Sequence, residues 1–139
     1  MTANALRKAR AVSGRIVLGV DTEVYLDGRL YGKPADAGEA RRFLEELSGR
    51  THEVYSGVAL IHDGIEQTAV ERTEVRFRRL DPALVEWYLA TGEWAGRAGG
   101  YAVQGRGAAL TASIDGDYWN VVGLPVAALL DMAPWLLDS

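Results

Sequence analysis

The chain predicts an α/β domain, a mixed sheet flanked by helices, with α+β as its nearest relative. Three observations lead there. Apolar runs of strand length are interspersed with segments of helical periodicity. Two Asp-Gly pairs, Asp27-Gly28 and Asp63-Gly64, stand between extended runs and signal hairpins. Two acids, Asp36 and Asp81, stand where helix caps belong.

Taken in order, Ala5 to Val12 predicts a short helix with Asn4 as its cap. Arg15 to Val20 contains IVLGV, a compact apolar run that suits a buried strand, and Asp21 to Leu26 continues it. Asp27-Gly28 then turns the chain into Arg29-Leu30-Tyr31, and Pro34 breaks it. Asp36 with Glu39 three residues on resembles a capping box for a helix to about Leu47, stopped by Gly49. His52 to His62 and Ile65 to Phe77 read as a second hairpin around Asp63-Gly64. Asp81-Pro82 opens the helix ALVEWYLAT, which Gly92 ends. A glycine-rich stretch runs from Gly96 to Gly107. Ala108 to Ile114 and Tyr118 to Val122 read as a further strand pair, and Pro125 opens a terminal amphipathic helix through Leu137. No repeat or linker divides residues 1–139, so one domain is expected.

Of the 139 residues, 48% are hydrophobic and 24% charged, a globular composition. Fifteen Lys and Arg stand against 19 Asp and Glu, for a net charge of -4. That balance lacks the basic footprint of a duplex-binding protein, so no nucleic-acid partner is expected. Without cysteine there is no disulfide, zinc–thiolate site or cysteine nucleophile. No apolar run approaches bilayer length, so no membrane association is expected. The charged amino-terminal stretch does not read as a secretory signal, which makes the cytoplasm the expected location.

Three groups of residues could carry chemistry. An apolar strand that ends abruptly in Asp21 places an acid at the edge of a sheet, where ligands of α/β proteins bind. In an extended strand Asp21 and Glu23 share a face, so the pair could hold Mg²⁺, or one could be a base while the other binds metal. The plainer reading is a turn cap and a solvated strand residue. Lys33, between Gly32 and Pro34, sits on a stiff loop and could meet a phosphate; as an isolated signal it reads rather as a surface lysine, and so does Lys8. In the glycine-rich stretch the backbone can approach a ligand closely, and Gln104 offers a donor and an acceptor for a base edge; a flexible loop is the alternative. No phosphate-loop or dinucleotide fingerprint is present. His52 and His62, ten residues apart in one strand, read as ordinary strand residues, and the four tryptophans as packing residues.

The order of these signals is more specific than any one of them. GVDTEVYLDGRLYGKPADAGEARRFLEELSGRTHEVYSGVAL, VRFRRL, YLATGEWAGRAGGYAVQGRGA and DGDYWNVVGLPV together closely resemble the sequence blocks of the Maf family. The resemblance runs from about Lys8 to the carboxyl end and implies a Maf/ITPase-like architecture. It also implies hydrolysis of a nucleoside triphosphate to monophosphate and pyrophosphate with a divalent cation, Mg²⁺ or Mn²⁺. The family's catalytic acid corresponds to Asp21, as general base or metal organiser, and its phosphate-facing lysines to Lys8 and Lys33. Thr22 after the acid and Gln104 before the glycine match the branch that prefers dTTP and UTP, which leaves modified pyrimidine nucleotides as further candidates.

The chain also departs from the family. Arg97 stands in place of the usual lysine of the glycine-rich block, and Glu23 where an apolar residue is commoner, which either adds a metal ligand or marks a newly exposed strand. The family's usual opening strand and Ser-Pro-Arg-Arg turn have no counterpart in these residues, so a shortened form of the architecture is expected. The alternative function is a non-catalytic, truncated Maf-like nucleotide-binding or interaction protein. A homodimer is a possible assembly of either.

Overall fold

The computed structural model describes residues 1–11 and 16–138. Its elements are α1 (Thr2–Arg10), β1 (Ile16–Leu26), β2 (Arg29–Tyr31), α2 (Ala37–Leu47), β3 (Thr51–His62), β4 (Ile65–Phe77), α3 (Pro82–Ala90), β5 (Thr111–Asp115), α4 (Tyr118–Val122) and α5 (Val126–Met132). The α/β class expected from the sequence holds: helices flank one sheet of order β2-β1-β3-β4-β5. Its pairings are antiparallel, whereas a mixed sheet was expected.

Both Asp-Gly hairpins form. Asp27 and Gly28 adopt φ of 51° and 77°, and Asp63 and Gly64 φ of 51° and 78°, the left-handed pair of a tight two-residue turn. The long β1–β3 ladder runs from Ile16 opposite His62 to Tyr25 opposite Glu53. β2 flanks β1 only from Val24 to Leu26. Among the described residues, therefore, 16–23 have no strand neighbour on the side away from β3.

Side-chain alternation divides the sheet into two faces. Val24, Leu26, Val54, Val75 and Phe77 point to one face, where α2, α3 and the glycine-rich stretch close the main core. Asp36 caps α2 by accepting from the Glu39 amide at 2.8 Å, and Asp81 caps α3 from the Leu84 amide at 2.8 Å. On the other face α1 packs Ala5 and Ala9 against Val17 and Ala59. No helix among the described residues is long and apolar enough to cross a membrane.

Several local expectations are corrected. α1 begins at Thr2, so Asn4 lies within it and caps nothing. The expected helix end at Val12 and strand start at Arg15 lie outside the described residues. Arg106 to Leu110 is a 3-10 turn, and the strand begins only at Thr111. Tyr118 to Val122 is a helix and not a strand. Asp117 caps it through the Trp119 amide, and the buried Asn120 side chain bonds Val54 O, Glu71 O and Thr73 Oγ1, so tertiary bonds override strand propensity. α5 ends at Met132 instead of Leu137, because Pro134 disfavours helix for Ala133. Trp94 joins the main core and Trp135 stacks on His62, but Trp87 and Trp119 are about half exposed and do not pack as expected.

Candidate active site

α1 can lie directly on the sheet because Gly19 and Gly57 have no side chains. A Cβ at Gly19 would stand 2.1 Å from Ala5 O, and one at Gly57 2.9 Å from the Met1 carbonyl carbon. This close approach carries Lys8 to the uncovered side of β1. There Lys8 Nζ donates to Val20 O at 3.0 Å and to Asp21 Oδ1 at 3.3 Å. Asn4 Nδ2 donates to the other carboxylate oxygen at 3.5 Å. The Asp21 side chain retains 18% exposure, so its carboxylate is half-shielded and still reachable.

Thr22, the next residue, points to the opposite face. Its hydroxyl lies 2.9 Å from Ser56 Oγ, which donates in turn to Asn120 O at 3.5 Å. Asn120 thus fastens α4 over the strand, placing Val121, Val122 and Gly123 beside Thr22.

The glycine-rich stretch supplies the facing wall. Gly99 and Gly100 adopt φ of 74° and 79°, and the Gly99 amide donates to Gly32 O at 3.1 Å, tying this loop to the one that carries Lys33. From beneath, His52 Nε2 meets Tyr101 Oη at 2.7 Å, and Tyr88 Oη accepts from the Ala102 amide at 2.8 Å. Burial drives the His52 pKa down to about 4 and the Tyr88 pKa up to about 12, and it raises that of Tyr101. These side chains are neutral supports at neutral pH.

Between the walls is a cavity of about 280 Å³, lined by Lys8, Asp21, Thr22, Lys33, Arg97 and Gln104 together with Val20, Val24, Val54, Tyr101 and Val103. Six residues singled out from the sequence, scattered from position 8 to position 104, therefore share one cleft. Lys33 and Arg97 form no salt bridge among the described residues, so three cations line a cleft that contains a single carboxylate. Such a surplus suits a polyanion.

Glu23 departs from expectation. It shares Asp21's face of β1 but does not line the cavity, and its carboxylate accepts from Tyr25 Oη at 2.7 Å. Two residues of extended chain carry Glu23 along the strand from Asp21, so the expected metal partner of Asp21 lies outside the cavity lining. Among the described residues no group of three or more His, Cys, Asp or Glu is placed to hold a metal. Asp21 alone still fits Mg²⁺, which commonly takes one or two carboxylates and fills its remaining positions from water and substrate phosphate.

Sequence reasoning missed Ser56, His52, Tyr88 and Asn120. His52, an ordinary strand residue by sequence, is 1% exposed and holds Tyr101. Its one signal was a histidine beside an otherwise apolar alternation.

The family model described as "Maf-like protein" matches residues 1–134. The chain is 54% identical over 132 residues to a dTTP/UTP pyrophosphatase of Symbiobacterium thermophilum, which covers 92% of this chain and 68% of that protein. It is 50% identical over 134 residues to one of Moorella thermoacetica (92% and 69%) and 47% over 116 residues to one of Pyrococcus furiosus (84% and 61%). The chain spans about two thirds of the length of these relatives, and in the Pyrococcus case less than that.

Proposed function

Because the chain belongs to the Maf-like family, we propose that it is a nucleoside triphosphate pyrophosphatase acting on dTTP and UTP. The observation that carries this reading is the convergence of one acid, three cations and an amide reader on a single cleft. The relatives bear the same activity in their names, and neither the geometry nor those names favours the non-catalytic alternative.

In this reading water adds to phosphorus as the α–β anhydride bond breaks. Asp21 accepts the water's proton, and pyrophosphate leaves with the electron pair of the broken bond. Lys8, Lys33 and Arg97 offset the charge of the phosphate tail, Arg97 through a planar fork that can meet two oxygens at once. Lys8 also fixes the Asp21 carboxylate through Oδ1, and Asn4 fixes it through Oδ2. Asp21 is the carboxylate that would hold a divalent ion, which when bound would polarise the phosphoryl oxygens. Gln104 presents one acceptor and two donors, which suits a pyrimidine imide whose N–H is flanked by carbonyls. Thr22 supports the opposite wall, through Ser56 and Asn120.

Pyrophosphate release from UTP and dTTP with Mg²⁺ is the direct test. Asp21→Asn should lower kcat by about 10³-fold while leaving the thermal midpoint close to that of the parent chain. Retention of full turnover in Asp21→Asn would remove the assigned base.

A further inference from the structure

Gln104 stands at the crest of a loop that is clamped on both sides. On its amino-terminal side the clamps are His52 on Tyr101 and Tyr88 on the Ala102 amide. On its carboxyl-terminal side one side chain provides the clamp. Glu93 Oε2 accepts from the Arg106 amide at 3.3 Å and lies 3.9 Å from Arg106 Nη1. Gly105 lies between them with φ of 95°, a conformation that few other residues adopt, and a Cβ placed there would be 3.5 Å from both Glu93 oxygens. The carboxylate therefore lies in ordinary van der Waals contact with the turn at position 105.

Glu93 is itself rigidly placed. Its amide donates to Thr91 Oγ1 at 3.1 Å in the turn that ends α3, just after Gly92 with φ of 73°. Neighbouring Trp94 anchors the same turn through Nε1 to Leu89 O at 3.1 Å. Glu93 Oε1 is buried and has no partner in hydrogen-bonding geometry. The carboxylate is nevertheless close enough to the Tyr88 phenol to contribute, after burial, to its raised pKa. The Glu93 carboxylate thus serves both sides of the loop, the Arg106 amide through Oε2 and the Tyr88 phenol that holds the Ala102 amide. Neither its charge nor its second oxygen is needed to satisfy one amide.

We infer that Glu93 is the positioning residue that sets base preference: by holding Gly105 and the Arg106 amide it fixes the backbone on which Gln104 meets the base. This rests on Gln104 being the base reader of the proposed enzyme. A reader whose amide must match an imide N–H and its carbonyls loses discrimination when its backbone drifts by a fraction of an ångström. Lys8 and Lys33 lie on other segments, and Arg97 precedes the clamps at Tyr101 and Ala102, so the loss falls on selectivity more than on turnover.

The experiment compares the parent chain with Glu93→Ala and Glu93→Gln, using UTP and CTP with Mg²⁺ as substrates and UMP and CMP as calorimetric ligands. Cytosine presents a donor where uracil presents an acceptor, so the UTP:CTP ratio of kcat/KM reads the orientation of Gln104. Glu93→Ala should lower that ratio about tenfold, mainly through KM for UTP, with kcat changed by less than about threefold. Glu93→Gln keeps an acceptor for the Arg106 amide and should hold the ratio within about threefold of the parent. An equal loss for UTP and CTP, or an unchanged ratio, overturns the inference. If the parent hydrolyses neither nucleotide, the enzymatic reading fails separately. The inference is then judged on the UMP:CMP affinity ratio: a fall of about tenfold in Glu93→Ala supports it, and equal change or no parent preference overturns it.

Discussion

His52 shows how one residue can serve a site it never touches. Its ring is sealed between Phe77 and Tyr101, with Nε2 on the Tyr101 hydroxyl and Nδ1 buried without a partner. Burial lowers its pKa from 6.5 to about 4, so the folded chain keeps it neutral where the unfolded chain would protonate it. The unfolded state therefore binds more protons between those values. Stability is complete above about pH 6.5 and falls as pH drops toward 4, by an amount on the order of 3 kcal/mol. Urea unfolding from pH 7 to pH 4 should show this slope, and His52→Gln should flatten it. Equal slopes in both proteins would mean that other groups carry the acid sensitivity. Asp21 was legible in the sequence because a charge ended an apolar run. The role of His52 was not, because its partner Tyr101 lies 49 residues away.

At the scale of elements, the site depends on how closely α1 approaches β1. Gly19 admits Ala5 O, and this seats Lys8 on Val20 O and Asp21. Gly19→Val should therefore displace the helix, cost about 1–3 kcal/mol and lower pyrophosphate release by more than about tenfold through the loss of Lys8. Urea melts and turnover of the same preparation check it, and full activity in that variant would place Lys8 outside the chemistry. The capped helices α2 and α3 and both hairpins could be read from the sequence, since caps and Asp-Gly turns are local physics. α4 could not. Its aromatic and β-branched residues favour a strand, and only Asn120's bonds to Val54, Glu71 and Thr73 in the folded sheet decide for a helix.

For the whole molecule, a ligand that bridges α1, the sheet and the glycine-rich loop binds the folded chain and not the unfolded one. Without added metal, UMP at 100 times its Kd should add about 2.7 kcal/mol, a rise of roughly 8 °C in Tm, and Asp21→Asn should keep most of that rise, because it leaves Lys8, Lys33 and Arg97 in place. Absence of any shift at saturating UMP would contradict the cleft's assignment. By itself the sequence determined the order of most elements, the family and the residues that bear charge, because turns, caps and hydrophobic period are written within a few neighbours. Tertiary structure alone decided that Lys8, Asp21, Lys33, Arg97 and Gln104 share one cleft while Glu23 does not. It also decided which buried groups hold that cleft in shape. Both depend on close packing between segments distant in the chain, where a glycine without a side chain or an amide with a partner fixes the outcome.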